Sequence, residues 1–215
     1  MKRCFYKSGV IIALILCIFT QKAMAQDKIS IRLPTPDRSG GKALMTCLNL
    51  RSSSREFSTR EIPLQELSNI LWAANGINRK KDGKHTAPTA MNQQNMEVYV
   101  MLPDGIYFYN DLSNTLDLIQ VGNHMKSAGM QDFVARSMLN IIIVSDMNKL
   151  GDGAAEKKLI YAGVHAGAIM QNIYLYCASA DLHTVVRASF DQKVLADLLK
   201  LPENKQIILA QTLGY

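Results

Sequence analysis

The 215-residue sequence has little of what marks several classes of protein. Its 4 cysteines are too few for a disulfide framework, and its 13 glycines and 6 prolines exclude collagen-like and low-complexity chains. It has no C-x-x-C pair, and its 4 histidines do not show the spacing of metal ligands. Hydrophobic residues make up 48% of the chain, which is enough for the core of one domain or two small ones. The composition therefore predicts an ordinary globular protein and gives no support for a metal site.

The N-terminus has the pattern of a secretory signal peptide. Three basic residues precede the uncharged apolar run VIIALILCIFT (residues 10–20), and Ala23-Met24-Ala25 supplies a small-residue cleavage site. The alternative, an uncleaved membrane anchor, needs about 20 apolar residues, more than this run has. We expect cleavage after Ala25 and an exported protein, periplasmic or secreted, without a stable membrane anchor. An N-terminal arm (residues 26–41) and one folded domain (residues 42–215) then follow.

Most of the net charge of +6 belongs to the predicted signal peptide. Residues 1–25 hold four basic side chains and no acidic ones, so the mature chain has 20 basic against 18 acidic residues, a net charge of +2. Aromatic residues do not alternate with basic ones, and Arg79-Lys80-Lys81 is typical of a solvated loop. The sequence therefore does not predict a nucleic-acid partner.

Two cysteines, Cys47 and Cys177, remain after cleavage. An exported compartment allows them to form a disulfide. Two buried free thiols are an equally good interpretation, because cysteine packs as a small hydrophobic residue.

Apolar periodicity predicts a mixed order of helices and strands. Predicted helices cover residues 42–49, 63–75, 123–138, 154–180 and 192–201. Predicted strands cover residues 97–101, 106–109, 115–121, 139–145, 184–190 and 206–213, and residues 78–85 form a polar loop. The run 139–145 (LNIIIVS) is rich in β-branched residues, which indicates a strand buried on both faces. These elements predict a single α+β domain with a central, partly antiparallel sheet.

The segment RSSSREF, residues 51–57, groups two arginines with three serines. Arg51 and Arg55 lie four residues apart, and their forked donors together with the short serine hydroxyls suit a cluster of anionic oxygens such as a phosphate. The alternative interpretation is a polar, basic helix end.

The segment TAPTAMNQQ, residues 86–94, combines proline and small residues with uncharged donors and acceptors. Such a stretch lets the backbone approach a planar ligand closely. The alternative is the capped start of a helix, since Pro88 and Thr89 suit those positions.

The segment YAGVHAGAIMQN, residues 161–172, places glycine and alanine at neighbouring positions of a predicted helix. Small residues there permit close packing against a flat cofactor. A tight contact with another helix in the core is the alternative.

In this order and separation, the three segments resemble the nitroreductase family of flavin enzymes, and most closely its SagB-type dehydrogenase subgroup. The family's R-R-S-x-R-x-F-like element reads RSSSREF here, and its A-P-S-A-type loop before E-V-Y-V reads APTAMNQQNMEVYV. Its A-G-x-x-x-Q-N-x-Y-L helix reads AGAIMQNIYL. The resemblance covers nearly all of residues 42–215. This chain departs from the family's G-L-G-T element, where Asp181 and His183 replace small residues beside the cofactor.

The resemblance implies a nitroreductase-like α+β fold with a mostly antiparallel central sheet flanked by helices. It implies FMN as cofactor and an intertwined homodimer with the flavin at the interface. The residues implied to bind FMN are Arg51, Ser52, Ser53 and Arg55 at the phosphate, Pro88, Thr89, Ala90 and Asn92 at the ribityl chain and ring from the partner subunit, His165, Ala166 and Gly167 near the reactive edge of the ring, and Val185, Val186 and Arg187. No side chain is expected to be catalytic, because the chemistry takes place on the flavin.

These observations predict an exported FMN-dependent oxidoreductase that transfers hydride through flavin N5 by a ping-pong mechanism, with a small molecule as substrate. NAD(P)H is not expected outside the cytoplasm, so another protein, a quinone or the substrate itself must supply the electrons. The alternative is a non-catalytic flavin- or small-ligand-binding protein on the same fold, which Asp181 and His183 favour.

Overall fold

The computed structural model describes residues 29–215, and the predicted signal peptide with its cleavage site lies outside them. The α-helices are α1 (Leu44–Leu50), α2 (Leu64–Asn75), α3 (Asp132–Arg136), α4 (Ala155–Ser179) and α5 (Gln192–Leu198). The strands are β1 (Ser30–Arg32), β2 (Ile77–Arg79), β3 (Lys84–His85), β4 (Met96–Leu102), β5 (Gly105–Asn110), β6 (Thr115–Val121), β7 (Leu139–Asp146), β8 (His183–Arg187) and β9 (Lys205–Gly214). Short 3-10 turns cover Ala90–Asn92, Met125–Ala128 and Met147–Leu150.

A seven-stranded sheet in the order β1-β6-β5-β4-β7-β9-β8 forms the centre of the molecule. All of its strand pairs are antiparallel. β7 lies between β4 and β9, and its residues 139–145 are all buried. The prediction of a strand buried on both faces is therefore confirmed, as is the α+β class with its mostly antiparallel sheet.

The two faces of the sheet carry separate apolar layers. Helices α2 and α4 cover one face, while the Met125–Ala128 turn, α3 and α5 cover the other. Because successive strand side chains point to opposite faces, Ile141 and Ile143 join the first layer whereas Ile142 and Val144 join the second. Each fully buried aliphatic side chain of this kind contributes about 1.5–3 kcal/mol.

The 25-residue helix α4 is the longest element and organises the first layer. Its buried side chains include Ala162, Ala166, Ile169 and Ile173, which recur at the three- and four-residue spacing of one helix face. Its outer face carries exposed apolar residues. Within residues 29–215, no helix has both the length and the apolar character needed to span a bilayer.

Two local predictions were wrong in part. The predicted helix 123–138 is broken into the Met125–Ala128 turn and α3, because Gly129 between them is fully extended and Arg187 occupies the space where a Cβ would lie. The predicted polar loop 78–85 instead carries strand residues at both ends, where β2 and β3 pair as a small hairpin. The N-terminal arm also contributes β1, which pairs with β6 at one edge of the sheet.

Candidate functional site

The segment 51–57 leaves the end of α1 and runs beside the edge strand β8. The Arg51 N–H donates to Cys47 O at 2.8 Å and so terminates α1. The Ser54 N–H then donates to Thr184 O of β8 at 3.0 Å. The helix-end interpretation thus describes only Arg51, and the residues that follow are extended along the sheet.

Tyr174 of α4 holds this segment in place and was missed as a site residue by the sequence reasoning. Its hydroxyl accepts the Val186 N–H at 3.0 Å and lies 2.8 Å from Ser53 Oγ. The guanidinium carbon of Arg51 lies 5.2 Å from the centroid of its ring. Tyr174 is the tyrosine of the Q-N-x-Y-L motif. The motif could have drawn attention to this residue, but it does not indicate that the tyrosine holds the segment 51–57.

The donors of the segment remain available for a ligand. Arg55, Ser52 and Ser53 are exposed, and Arg51 is half-buried on the Tyr174 ring. Within the part of the chain that the structure describes, no ion pair joins Arg51 or Arg55 to a carboxylate. Two unpaired guanidinium groups beside serine hydroxyls are a donor set that fits a phosphate.

Of the two residues that depart from the family pattern, His183 contacts this segment and Asp181 contacts the chain before α1. The His183 Nδ1–H donates to Glu56 O at 2.7 Å, and Ser54 Oγ lies 3.3 Å from the same nitrogen. Asp181 forms an ion pair with Lys42, just before α1. The His183 side chain therefore binds the segment 51–57, whereas the Asp181 side chain binds Lys42.

The 86–94 loop contains a short 3-10 turn, Ala90–Asn92, so it is not the start of an α-helix. Met91, Asn92 and Gln94 have positive φ angles of 50°, 55° and 45°. Left-handed backbone is unfavourable for residues with a Cβ, and clusters of it are typical of ligand-binding segments. The Met91 side chain is 83% exposed at the tip of the loop.

His165 joins this loop to α4. Its side chain is only 3% exposed, and its Nε2 accepts the Ala90 N–H at 2.8 Å. Nδ1 therefore carries the proton and donates to Asn95 Oδ1 at 2.8 Å, while Asn95 Nδ2 donates to Ser145 Oγ at 2.8 Å. Burial lowers the pKa of His165. Asn95, a buried residue at the start of β4, was also missed from sequence.

The two residues that follow His165 lie on different sides of α4, one in the core and one on the outer face. Ala166 is buried in the first layer, whereas Gly167 is exposed and a Cβ built on it would meet nothing within 4 Å. Gly163, one turn earlier, faces open space in the same way. Within residues 29–215, the two glycines therefore face open space, and Ala166 is the small residue that packs in the core.

The family assignment follows from comparison with known proteins. The Nitroreductase family model matches residues 48–215. This chain belongs to the nitroreductase family. A protein of Methanocaldococcus jannaschii described as a candidate nitroreductase is 28% identical over 193 residues, which cover 85% of this chain and 96% of that protein.

Solved structures support the same family. The crystal structure of a candidate nitroreductase from Ralstonia eutropha is 38% identical, covers 89% of this chain and 91% of that one, and has a TM-score of 0.82. The NADPH:FMN oxidoreductase of Vibrio harveyi shares the fold with a TM-score of 0.59 at 17% identity, over 80% of this chain and 68% of that one. The predicted nitroreductase-like fold is confirmed, and oxidoreductase chemistry is the general activity of the family.

Within one chain, the residues predicted to contact the FMN phosphate lie apart from those predicted to contact its ring. Tyr174 and His165 lie nine residues apart on α4, which places the segment 51–57 and the 86–94 loop about 13 Å apart along the helix axis. Two surface pockets, of about 330 and 410 Å³, lie beside the β2–β3 hairpin. Neither is lined by residues 51–55 or by residues 88–92.

The third group of predicted contacts, on β8, lies mostly inside the protein. Val185 is buried in the second layer, and Val186 lies half-buried beside Tyr174. Arg187 is 7% exposed and donates to Ala128 O at 2.8 Å, to Asn140 Oδ1 at 2.9 Å and to Thr212 Oγ1. Desolvation lowers its pKa to about 10.

The two cysteines that follow the predicted cleavage site, Cys47 and Cys177, are both buried and free. Of the two interpretations left open by the sequence, the structure therefore has free thiols at Cys47 and Cys177. Burial raises the pKa of the Cys177 thiol, so it lacks the thiolate character of a reactive cysteine.

Proposed function

We propose that this nitroreductase-family protein is an FMN-dependent oxidoreductase that acts on a small-molecule substrate. The observation that carries the proposal is the donor set of Arg51, Ser52, Ser53 and Arg55, in which Arg51 and Ser53 contact Tyr174 and, within residues 29–215, neither arginine pairs with a carboxylate. The relative from Vibrio harveyi, whose name includes FMN, supports the choice of flavin. The resemblance to the SagB-type subgroup stays a prediction.

Different segments of the chain would bind different parts of FMN. Arg51, Arg55 and the serines would hold the phosphate by charge-assisted hydrogen bonds. Pro88, Thr89, Ala90 and Asn92 would approach the ribityl chain and ring through a loop without charged side chains. When bound, FMN supplies hydride transfer through its N5 in two half-reactions. The protein's contribution is to orient the ring and to keep water from it.

We further propose a homodimer that completes the site. The resemblance to the family implies that the loop of a second copy supplies the ring contacts. α1 and α4 together expose Leu44, Met45, Leu48, Ile160 and Val164. Contiguous exposed apolar side chains are typical of an interface between proteins.

Sedimentation of the purified protein tests the dimer. Val164→Glu on the outer face of α4 is expected to yield monomers that lose FMN, because a buried charge is costly at an apolar interface. Val194→Glu on α5, which is also exposed, is the matched control and should leave both properties unchanged. A Val164→Glu variant that stays dimeric would contradict this arrangement.

Export belongs to the proposal as well. The N-terminal pattern predicts a mature protein that begins at Gln26, which N-terminal sequencing of protein from the producing cell would test. Recovery of the full-length chain from the cytoplasm would contradict it. Outside the cytoplasm, a quinone, another protein or the substrate would supply the electrons.

The absorption spectrum of the purified mature protein is the first test of function. A flavin spectrum, with FMN released on denaturation, is expected. A colourless protein that takes up no added FMN would overturn the proposal. Transfer of electrons from the photoreduced protein to quinones, nitroaromatics or oxygen then separates an oxidoreductase from a non-catalytic binding protein, since the second would hold the flavin without passing electrons on.

A further inference from the structure

We propose that His165 is a positioning residue that holds the 86–94 loop, and that protonation of its imidazole releases the loop. This inference deepens the proposed function, because that loop is the one proposed to contact the flavin ring. The imidazole is buried. It acts through the backbone of Ala90.

A buried chain of hydrogen bonds determines the state of His165. The Ala90 N–H donates to Nε2, Nδ1–H donates to Asn95 Oδ1, and Asn95 Nδ2 donates to Ser145 Oγ, each at 2.8 Å. Asn95 is also fixed at its carbonyl, which accepts the Asp146 N–H at 2.8 Å. Only the neutral imidazole with its proton on Nδ1 satisfies all these partners.

The loop needs such an attachment because its backbone is strained. Three of the four residues from Met91 to Gln94 have positive φ angles, and none of them is glycine. Three bonds hold the far end, at Gln94. Its N–H donates to Thr89 Oγ1 at 3.0 Å, its Nε2 donates to Gly83 O at 2.8 Å, and Lys149 Nζ donates to its carbonyl oxygen at 3.1 Å. The bond to His165 attaches the middle of the loop to α4.

Protonation removes this attachment. An imidazolium carries protons on both nitrogens, so Nε2 can no longer accept the Ala90 N–H and two donors face each other. Within residues 29–215 no carboxylate bonds to the imidazole and stabilises its cation.

The charged and titratable groups around this network are one tyrosine, which contacts the imidazole ring, and several groups that bind other partners. Tyr161 of α4 has its ring centroid 6.1 Å from that of His165. Lys149 binds the loop, and the Asp146 carboxylate accepts from Asn148 and Asn204. On the neighbouring elements, Glu97 of β4 pairs with Lys205, and Glu66 of α2 accepts the Tyr176 hydroxyl.

The direction of the pH effect follows from the burial of the ring. Burial lowers the pKa of His165 below its ordinary value of 6.5, so the fold favours the neutral form. In the released state the imidazole has its ordinary pKa, so it takes up a proton as the pH falls below 6.5, at a higher pH than in the held state. The held state therefore loses stability relative to the released state as the pH falls from 6.5 to the lowered pKa. The loop is therefore held above about pH 6.5 and is released in acid.

Two variants separate the two hydrogen bonds of His165. In His165→Gln the Oε1 atom replaces Nε2 as acceptor for the Ala90 N–H and does not titrate. In His165→Asn the Nδ2 atom replaces Nδ1 as donor to Asn95, and the acceptor for Ala90 is lost. Thermal unfolding of both variants confirms that each is folded before its loop is compared.

FMN titration between pH 5 and pH 8, about one unit or more on each side of the ordinary histidine pKa, measures the effect on the site. We expect wild-type affinity to fall in acid, His165→Gln to keep wild-type affinity with a flat pH profile, and His165→Asn to bind about tenfold more weakly at every pH. Equal affinities and equal pH profiles for the two variants would overturn the inference.

Hydrogen exchange of the Ala90 amide, followed by NMR on protein without flavin, gives a second readout. Protection is expected in the wild type at pH 8 and in His165→Gln, and loss of protection in His165→Asn and in the wild type at pH 5, on the acid side of the ordinary histidine pKa. Protection that is the same in all four samples would overturn the inference. A wild type that binds no FMN but shows this exchange pattern would defeat the proposed function and leave the role of His165 supported.

Discussion

Arg51 lies on the ring of Tyr174 and, within residues 29–215, has no carboxylate partner. Arg187, on the neighbouring strand β8, is instead buried and donates to three protein oxygens. The resemblance to the family assigns both residues to the same flavin. In the structure, their guanidinium groups have different hydrogen-bond partners. The donors of Arg51 stay available to a ligand, and those of Arg187 connect β8 to β7, β9 and the Met125–Ala128 turn.

The difference shows what identifies a ligand-binding arginine. A guanidinium whose donors are used inside the fold stabilises the fold, because its partners would otherwise be buried without hydrogen bonds. A guanidinium that is held in place by its stem or by a ring, with its donors free, is prepared for an anion. Substitution of each arginine should therefore affect different measurements, and the size of the effect should follow burial.

Arg187→Ala is expected to have the largest effect. It would remove the donor that Arg187 supplies to Thr212 Oγ1 and Ala128 O, and would leave Asn140 Oδ1 with the Thr212 hydroxyl alone. The free energy of unfolding should fall by about 3 kcal/mol. Urea unfolding measures the change. Arg136→Ala, at an exposed position of α3, is the matched control and should change the free energy by no more than about 0.5 kcal/mol. Equal stabilities for the two variants would remove the structural role given to Arg187.

Arg51→Ala and Arg55→Ala should affect ligand binding and leave unfolding nearly unchanged. Loss of a charge-assisted hydrogen bond to phosphate weakens FMN binding by about tenfold for each variant. Riboflavin, which has no phosphate, is the internal control, and its affinity should be the same in wild type and variants. If riboflavin and FMN weaken equally, these arginines act on something other than the phosphate.

Tyr174→Phe should have a smaller effect. The ring beneath Arg51 is kept, while the hydroxyl that contacts Ser53 and accepts the Val186 N–H is lost. We expect a loss of about 1 kcal/mol in stability and a weakening of FMN binding by about fivefold. Tyr174→Leu, which also removes the ring, should weaken FMN binding further. A variant pair with identical affinities would show that Arg51 does not depend on the ring.

Arg60→Ala should have the smallest effect. The guanidinium carbon of Arg60 lies 3.7 Å from the centroid of the Tyr215 ring, at an exposed position. Such a contact contributes about 0.5–1 kcal/mol, and FMN affinity should not change. A loss of FMN affinity as large as that of Arg51→Ala would extend the phosphate site to Arg60.

The elements with strong local patterns were predictable from sequence. The β-branched run 139–145 corresponds to β7, and the predicted helix 154–180 corresponds to α4. The break in the predicted helix 123–138 falls at Gly129, and glycine is unfavourable inside a helix. The contact that requires a glycine there involves Arg187, which is far away in the chain. Local periodicity carries no information on such a contact.

The same limit applies to the candidate site. The segments 51–57 and 86–94 could be found from their residue types and order. The role of Tyr174 depends on a contact with a residue 121 positions away, and that of Asn95 on a contact with a residue 70 positions away. Burial decides the use of Arg187, and a sequence pattern does not distinguish it from Arg51.

The stretch that carries the proposed phosphate donors also closes an open side of the sheet. β8 is a terminal strand, and the Ser54 N–H donates to its Thr184 O while the Ser58 N–H donates to Tyr215 O, just after β9. Exposed strand edges pair readily with other chains and start aggregation. Detachment of this stretch would therefore expose a self-association surface, so cofactor retention and resistance to aggregation should rise and fall together.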